Sequence, residues 1–259
     1  MIVDYHMHLR DPEERIAHTV EAVERFVETA ADRGVDEIGF TEHVYYFRQT
    51  RALWSLPYQL ERCVYDLDEY VGTIVEAKRQ GLPVKLALEV DYVGERQNEL
   101  AAALEPYPWD YLLGSVHWLD GLAVDQEPGI WGACSVEEVW RRYLAAVAEL
   151  AESGHVDVLA HPDLAKFFGR RPACGIDYPA LEGVALEIST AGLYKPVGEL
   201  YPDAAFLAAA RLPVTLASDA HVPQNVGRDF DRAIEYARAA GYETVTVFEN
   251  RTPRQEPLG

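Results

Sequence analysis

The stretch from Met1 to Phe40, MIVDYHMHLRDPEERIAHTVEAVERFVETAADRGVDEIGF, holds one complete strand–helix–strand unit. Ile2–Tyr5 and Glu37–Phe40 are short apolar runs of strand length. Between them Ile16, Val20, Val23, Val27 and Ala30 recur at steps of three and four, with Glu21, Glu24, Arg25 and Glu28 between them. Gly34 follows where such a helix stops. The alternation continues outward. Further strands are expected at Val84–Val90, Tyr111–Val116, Val156–Ala160, Val184–Ile188 and Val214–Ala217, and an eighth apolar run lies at Thr244–Phe248. Cys63–Gln80, Val136–Glu152 and Asp229–Ala240 read as further helices, closed by Gly81, Gly154 and Gly241. Strand and helix alternating seven or eight times predict a parallel sheet covered by helices. At 259 residues a barrel is expected rather than an open doubly wound sheet. No G-x-G-x-x-G or Walker-type loop follows any strand, so the usual marks of nucleotide binding are missing.

Composition narrows the class. A single domain spanning 1–259 would bury roughly 75% of the surface its unfolded chain exposes. The 49% apolar and 25% charged content is that of an ordinary globular protein. The balance of 23 basic against 43 acidic residues, a net −20, repels phosphate backbones and anionic lipid, so neither nucleic acid nor membrane is expected as a partner. An anionic substrate would be repelled too, unless cations are held locally. No apolar run reaches the ~20 residues that span a bilayer, and Met1–His6 has neither a basic start nor an apolar signal core. Cys63, Cys134 and Cys174 are odd in number and scattered, which fits a reduced chain without disulfides. A cytoplasmic protein is expected.

A barrel places its active site at the C-terminal ends of its strands. Histidine and carboxylate stand there repeatedly: Asp4-Tyr5-His6-Met7-His8, Thr41-Glu42-His43, Leu88-Glu89-Val90-Asp91, Gly114-Ser115-Val116-His117, Ala160-His161-Pro162-Asp163, Leu186-Glu187-Ile188-Ser189 and Ser218-Asp219-Ala220-His221. Six of the eight histidines occupy these exits; only His18 and His155 do not. His6 and His8, two apart on an extended segment, point to one side and can share a metal. Any one of these histidines alone reads as a rim or core residue; five strand ends supplying them together with Glu89 and Asp219 do not. The mixed N/O donor set suits Zn²⁺, Mn²⁺ or Fe²⁺, and no thiolate near it suggests a structural zinc site. Eight potential ligands exceed one tetrahedral ion, so more than one divalent transition metal is expected.

The ordered set H-x-H, T-E-H, L-E-x-D, G-S-V-H, A-H-P-D and S-D-A-H resembles the PHP family (polymerase and histidinol phosphatase), from Asp4 to about Gly227. Phe40-Thr41-Glu42-His43, Gly114–His117, Thr190–Leu193 and Ser218–His221 look like its phosphatase branch. The resemblance implies a distorted, TIM-like (β/α)7 barrel holding three divalent ions. One would take His6, His8, Glu89 and Asp219; a second would share Glu89 and add His117 and His161; the third would take His43, His221 and one further ligand. Family members place a histidine or aspartate where this chain has Glu14, with Asp11 and His18 as neighbours a shifted loop could present. Glu14 reads equally as a carboxylate at a helix start. The stretch Lys166–Gly183 leaves little room for a covering helix, and Ala210–Pro213 runs tightly into its strand.

The activity this implies is hydrolysis of a small phosphate monoester, L-histidinol phosphate first, by a hydroxide bridging two metals. Glu89 would hold the metals, and Asp219 or His221 would relay a proton to the leaving alkoxide. Lys195, Arg48, Lys166 and Arg228 follow strand exits closely enough to meet the phosphate, Lys195 foremost, although each could equally be a solvated surface charge. Glu187, Asp91 and Asp163 are acidic candidates for the substrate's amine or imidazole, and Trp54, Tyr58 and Trp118 aromatic ones for its ring. The same chemistry on another small phosphate ester is the nearest alternative. A phosphodiesterase acting on nucleic acid would want a basic groove, which the charge argues against. A silent metal-binding accessory module is the third reading, and none of the eight principal ligand positions is replaced by an inert residue.

Overall fold

The computed structural model describes residues 1–9 and 18–259. In chain order its strands are β1 (Val3–Met7), β2 (Glu37–Phe40), β3 (Val84–Asp91), β4 (Tyr111–Ser115), β5 (Trp118–Leu119), β6 (Leu122–Ala123), β7 (Val158–Leu159), β8 (Ala185–Ser189), β9 (Val214–Ala217), β10 (Thr244–Glu249) and β11 (Thr252–Pro257). The α-helices are α1 (Val20–Asp32), α2 (Pro57–Arg62), α3 (Leu67–Arg79), α4 (Gln97–Leu104), α5 (Val136–Glu152), α6 (Ala204–Ala210) and α7 (Phe230–Ala239).

Seven strands pair in parallel in the order β1-β2-β3-β4-β7-β8-β9. The two ends of that sheet meet: His8 N donates to Ala220 O at 2.8 Å and Ala220 N to His6 O at 3.3 Å, closing a distorted seven-stranded barrel just beyond the ends of β1 and β9. The register between β1 and β2 slips by one residue between Asp4 and Met7, a bulge directly beside the His6-x-His8 pair. Inside, the Tyr111 hydroxyl crosses from β4 to donate to Tyr5 O at 2.6 Å. Only a glycine at position 39 leaves it room, since a Cβ there would lie 1.9 Å from that oxygen. The eighth apolar run is no barrel strand. It is one arm of the antiparallel β10–β11 hairpin, whose Phe248 packs 5.5 Å from the Tyr111 ring and 6.4 Å from Tyr5, closing the barrel on the side away from the strand exits.

Helix starts follow their caps. Thr19 Oγ1 accepts from Ala22 N, and the Asp66, Ser135 and Asp203 side chains cap α3, α5 and α6 in the same way. The Asp66 cap explains one departure from expectation. The helix expected over Cys63–Gln80 begins only at Leu67, and a separate short α2 precedes it. The strand expected at Val156–Ala160 is reduced to two residues. No α-helix covers the connection between β7 and β8. Two helices, α4 and α6, were not marked by any periodic stripe. No helix among the described residues is long and apolar enough to cross a membrane.

Candidate metal centre

Every strand exit of the barrel delivers at least one polar side chain to the same place. His6 lies in β1 and His8 just after it; Glu89 and Asp91 end β3; His43, His117, His161 and Asp219 each stand two or three residues beyond their strands. His161 and Asp219 hold φ of +28° and +51°, backbone that non-glycine residues rarely adopt and that sites impose on functional side chains.

Glu89 is the hub, with no exposed surface. Its Oε2 lies 3.5 Å from His6 Nε2, 3.7 Å from His8 Nε2 and 2.6 Å from His43 Nδ1. Its Oε1 lies 3.2 Å from His161 Nε2 and 3.5 Å from His117 Nε2. Asp219 Oδ1 lies 3.7 Å from His6 Nε2, 3.5 Å from His8 Nε2 and 3.4 Å from His221 Nε2. The structure therefore brings together His6, His8, His43, Glu89, His117, His161, Asp219 and His221. Ligand-capable atoms form four trios, each within 4.8 Å: His6-Glu89-His161, His6-His8-Asp219, His8-His43-Glu89 and His43-Asp91-His117.

Carboxylates behind the histidines orient them. Glu187 Oε2 lies 2.7 Å from His6 Nδ1, and its Oε1 accepts from the His161 backbone N–H at 3.1 Å. Asp91 Oδ1 holds His117 Nδ1 at 2.7 Å. Fixing Nδ1 in this way turns each Nε2 toward Glu89, as metal-binding histidines require. Glu42 lies between His8 Nδ1, at 3.6 Å, and His18 Nε2, at 3.4 Å. Asp4 anchors the loop that carries Asp219 and His221, accepting from Ser218 N, Ser218 Oγ and Gly227 N at 2.8, 2.5 and 2.8 Å.

Buried polar atoms are normally hydrogen-bonded. Here His6 Nε2, both ring nitrogens of His8, His161 Nδ1 and both Glu42 carboxylate oxygens are buried with no hydrogen-bond partner. Such a convergence of unsatisfied nitrogen and carboxylate donors fits divalent cations. The electrostatics agree. Burial opposes charge on His6 and His117, yet Glu187, Glu89 and Asp219 hold His6 well above its ordinary value, and Glu89 with Asp91 raise His117 to about 10. Burial likewise opposes charge on Glu89, but His43, His6 and His117 keep its carboxyl well below the usual range. Desolvation, reinforced by the charge of His8, drives His43 down to about 3 against the pull of Glu89, leaving it the neutral imidazole that a metal takes. The cluster attracts positive charge, whether protons or metal ions.

Glu14 and Asp11, proposed for the third ion, lie outside the described residues. His18 is drawn inward: its ring is 3% exposed and faces Glu42, a residue noticed in the Thr41-Glu42-His43 motif but not as a candidate ligand. Its position one before His43 was the only signal.

Of the four basic candidates, only Lys195 reaches the site. It lines a cavity of about 180 Å³ together with His43, Glu89, His117, His161, Asp219 and His221. It is held there by a tight 3-10 turn over Ala191–Tyr194, in which Lys195 N donates to Gly192 O at 3.2 Å. A Cβ at Gly192 would lie 2.1 Å from Glu199 O, so the turn requires glycine. Three candidates are corrected. Arg48 pairs with Asp66 at 3.2 Å and Val64 O at 2.7 Å on the surface. Lys166 is wholly buried, with Nζ on Asp163 at 2.8 Å and Leu200 O at 2.7 Å. Arg228 lies 3.2 Å over the Tyr194 ring and donates to Asn225, outside the cavity lining. The acidic candidates are also committed: Glu187 to His6, Asp91 to His117 and Asp163 to Lys166. Tyr58 and Trp118 line the cavity; Trp54 packs behind Tyr45 at 6.2 Å.

The PHP domain model matches residues 4–191. A Deinococcus radiodurans protein named "Probable histidinol-phosphatase" is 33% identical, over 92% of this chain and 94% of that one. The Bacillus subtilis "Histidinol-phosphatase" is 26% identical over 83% of this chain and 92% of its own. The fold matches a crystal structure of histidinol phosphate phosphatase from Lactococcus lactis, complexed with zinc, L-histidinol and phosphate, with a TM-score of 0.71 at 20% identity over 98% of both chains. With its histidines and carboxylates gathered at the strand ends of a seven-stranded barrel, and its sequence matched over most of its length, the chain belongs to the PHP-domain family.

Proposed function

We propose that this chain is a metal-dependent phosphatase that hydrolyses L-histidinol phosphate to L-histidinol and phosphate. One observation carries the reading: His161, from the set of buried, unsatisfied donors, lines one small cavity with His43, Glu89, His117, Asp219, His221, a lysine and an aromatic wall. At about 180 Å³ it lies below the ~300–1,000 Å³ of drug-sized sites and suits a small ester. The curated relatives named above and the zinc, histidinol and phosphate in the Lactococcus structure support the substrate.

His6, His8, Glu89, Asp219, His117 and His161 would hold two ions, and His43 and His221 a third, with Glu42 and His18 behind them. Divalent ions at such a site lower the pKa of bound water, clamp phosphoryl oxygens and offset the −20 charge of the chain. Lys195, the one lysine or arginine among the described lining residues, meets the phosphate. Attack by water breaks the phosphorus–oxygen bond to the alcohol, and the departing alkoxide must take a proton. His221, with 31% of its side chain exposed and Asp219 at 3.4 Å, is placed to relay it. Glu187, Asp91 and Asp4 hold the histidines and the Asp219 loop in position.

Lys195→Ala should raise KM for L-histidinol phosphate about 10- to 150-fold, the worth of one charge-assisted hydrogen bond of ~1.5–3 kcal/mol, with metal content intact. Any share of that bond made only in the transition state would lower kcat as well. Steady-state kinetics at fixed ionic strength check this, and unchanged parameters would return Lys195 to the solvated surface. A panel of phosphate esters tests the substrate itself: L-histidinol phosphate should show the highest kcat/KM, and a flat profile would contradict it.

A further inference from the structure

L-Histidinol phosphate carries an ammonium group and an imidazole as well as a phosphate, and the metals and Lys195 account only for the phosphate. The other end needs an anion, and Glu187, Asp91 and Asp163 are already taken by His6, His117 and Lys166. One acidic side chain in the cavity is not. Asp125 lines it beside Trp118, Tyr58 and Gln126; its charge acts on His117, but no hydrogen bond or ion pair ties it to a side chain among the described residues.

The local structure explains why Asp125 is there. Directly after His117 the chain forms a two-stranded hairpin, β5 paired antiparallel with β6, Trp118 opposite Ala123. Its turn is Asp120-Gly121, with φ of +50° and +78°, the left-handed pair that a tight hairpin demands. The hairpin returns the chain to its starting point, where Val124 N donates to His117 O at 2.9 Å. Trp131 Nε1 then fixes Val124 O at 2.7 Å. Asp125 is thereby set across from a metal-type histidine by pinned backbone, not left on a free loop. The Trp118 ring packs 5.3 Å from Tyr45 and 5.9 Å from Tyr58, forming an aromatic wall on the same rim.

We infer that Asp125 is the specificity-determining residue of this site, binding the cationic amine end of the substrate while Trp118 and Tyr58 flank its ring. This rests on the reading of the site as a phosphatase. The cavity is then bipolar: cations at the phosphoryl end, a carboxylate and aromatic faces at the amine end. It selects small phosphate esters that carry a positive charge a few bonds from the phosphate, and it disfavours sugar phosphates and dianions without an amine. A carboxylate–ammonium hydrogen bond gains strength in a cleft partly withdrawn from water.

The test compares L-histidinol phosphate with the des-amino ester 3-(imidazol-4-yl)propyl phosphate on wild type, Asp125→Asn and Asp125→Glu, with L-histidinol binding measured by calorimetry on the metal-replete proteins. Asp125→Asn should cut the kcat/KM preference for the amine-bearing ester about 10- to 100-fold, chiefly through KM, and weaken L-histidinol binding by a similar factor. Asp125→Glu should restore part of both. If wild type hydrolyses both esters and Asp125→Asn keeps the wild-type preference and histidinol affinity, the assignment of Asp125 is overturned while the phosphatase reading stands. If wild type hydrolyses neither ester at any metal loading, the phosphatase reading fails and Asp125 loses its role with it.

Discussion

Glu89→Gln is expected to lower kcat/KM for L-histidinol phosphate by about three orders of magnitude or more and to remove at least one equivalent of metal. The substitution preserves volume, so it opens no cavity; what changes is charge and donor sense. In the native chain a single fully buried carboxylate faces His6, His8 and His43 through one oxygen and His117 and His161 through the other. An amide there carries no charge and points N–H groups at imidazole nitrogens that should bind cations. Metal stabilisation of the reacting phosphoryl group is worth several kcal/mol, and each 1.36 kcal/mol is a decade in rate. Elemental analysis beside single-turnover kinetics would check both effects. A variant with full metal content and less than a tenfold loss would remove Glu89 from the centre of the site.

Lys166→Ala should unfold the protein far more readily without a specific effect on substrate affinity. Lys166 and Asp163 are both fully buried, 2.8 Å apart, and Asp163 also accepts from Asp203 N at 2.8 Å. Burial already pushes the Asp163 carboxyl up to about 6 even with Lys166 pulling it down. Removing the lysine leaves an uncompensated buried acid, which costs ~3–5 kcal/mol. For a chain near this size that is a fall in Tm of about 6–20 °C. Adding Asp163→Asn to Lys166→Ala should recover part of the loss. Thermal unfolding gives the first number, and kinetics below the transition give the second. A raised KM with unchanged Tm would instead make Lys166 a substrate ligand.

The gathering of histidines and carboxylates was legible because the barrel rule points to strand exits, and those exits can be found from apolar runs alone. Lys195 was singled out among the basic residues, but Arg48, Lys166 and Arg228 were misplaced, because proximity to an exit in sequence does not reveal which partner captures a long side chain. Arg48 is held by Asp66 and Lys166 by Asp163, neither of which a strand pattern predicts. Asp125 was missed for a related reason: it follows a hairpin of two-residue strands, too short to register as elements. The α4 and α6 segments, QNELAAAL and AAFLAAA, are so rich in alanine that their two faces differ little, and no helical stripe stands out. The register of α3 turned on a cap, Asp66, inside an otherwise continuous helical pattern.

Hydrolysis of L-histidinol phosphate by this barrel should depend on metals held by its strand-end histidines and carboxylates. The most direct test is inorganic phosphate released from L-histidinol phosphate by one preparation of the protein as purified, after chelator stripping, and after restoration with Zn²⁺ or Mn²⁺. The expected result is turnover, then none, then recovery in step with two to three equivalents of bound metal. Undiminished turnover by the stripped protein, or none in the restored protein with metal bound, would contradict it.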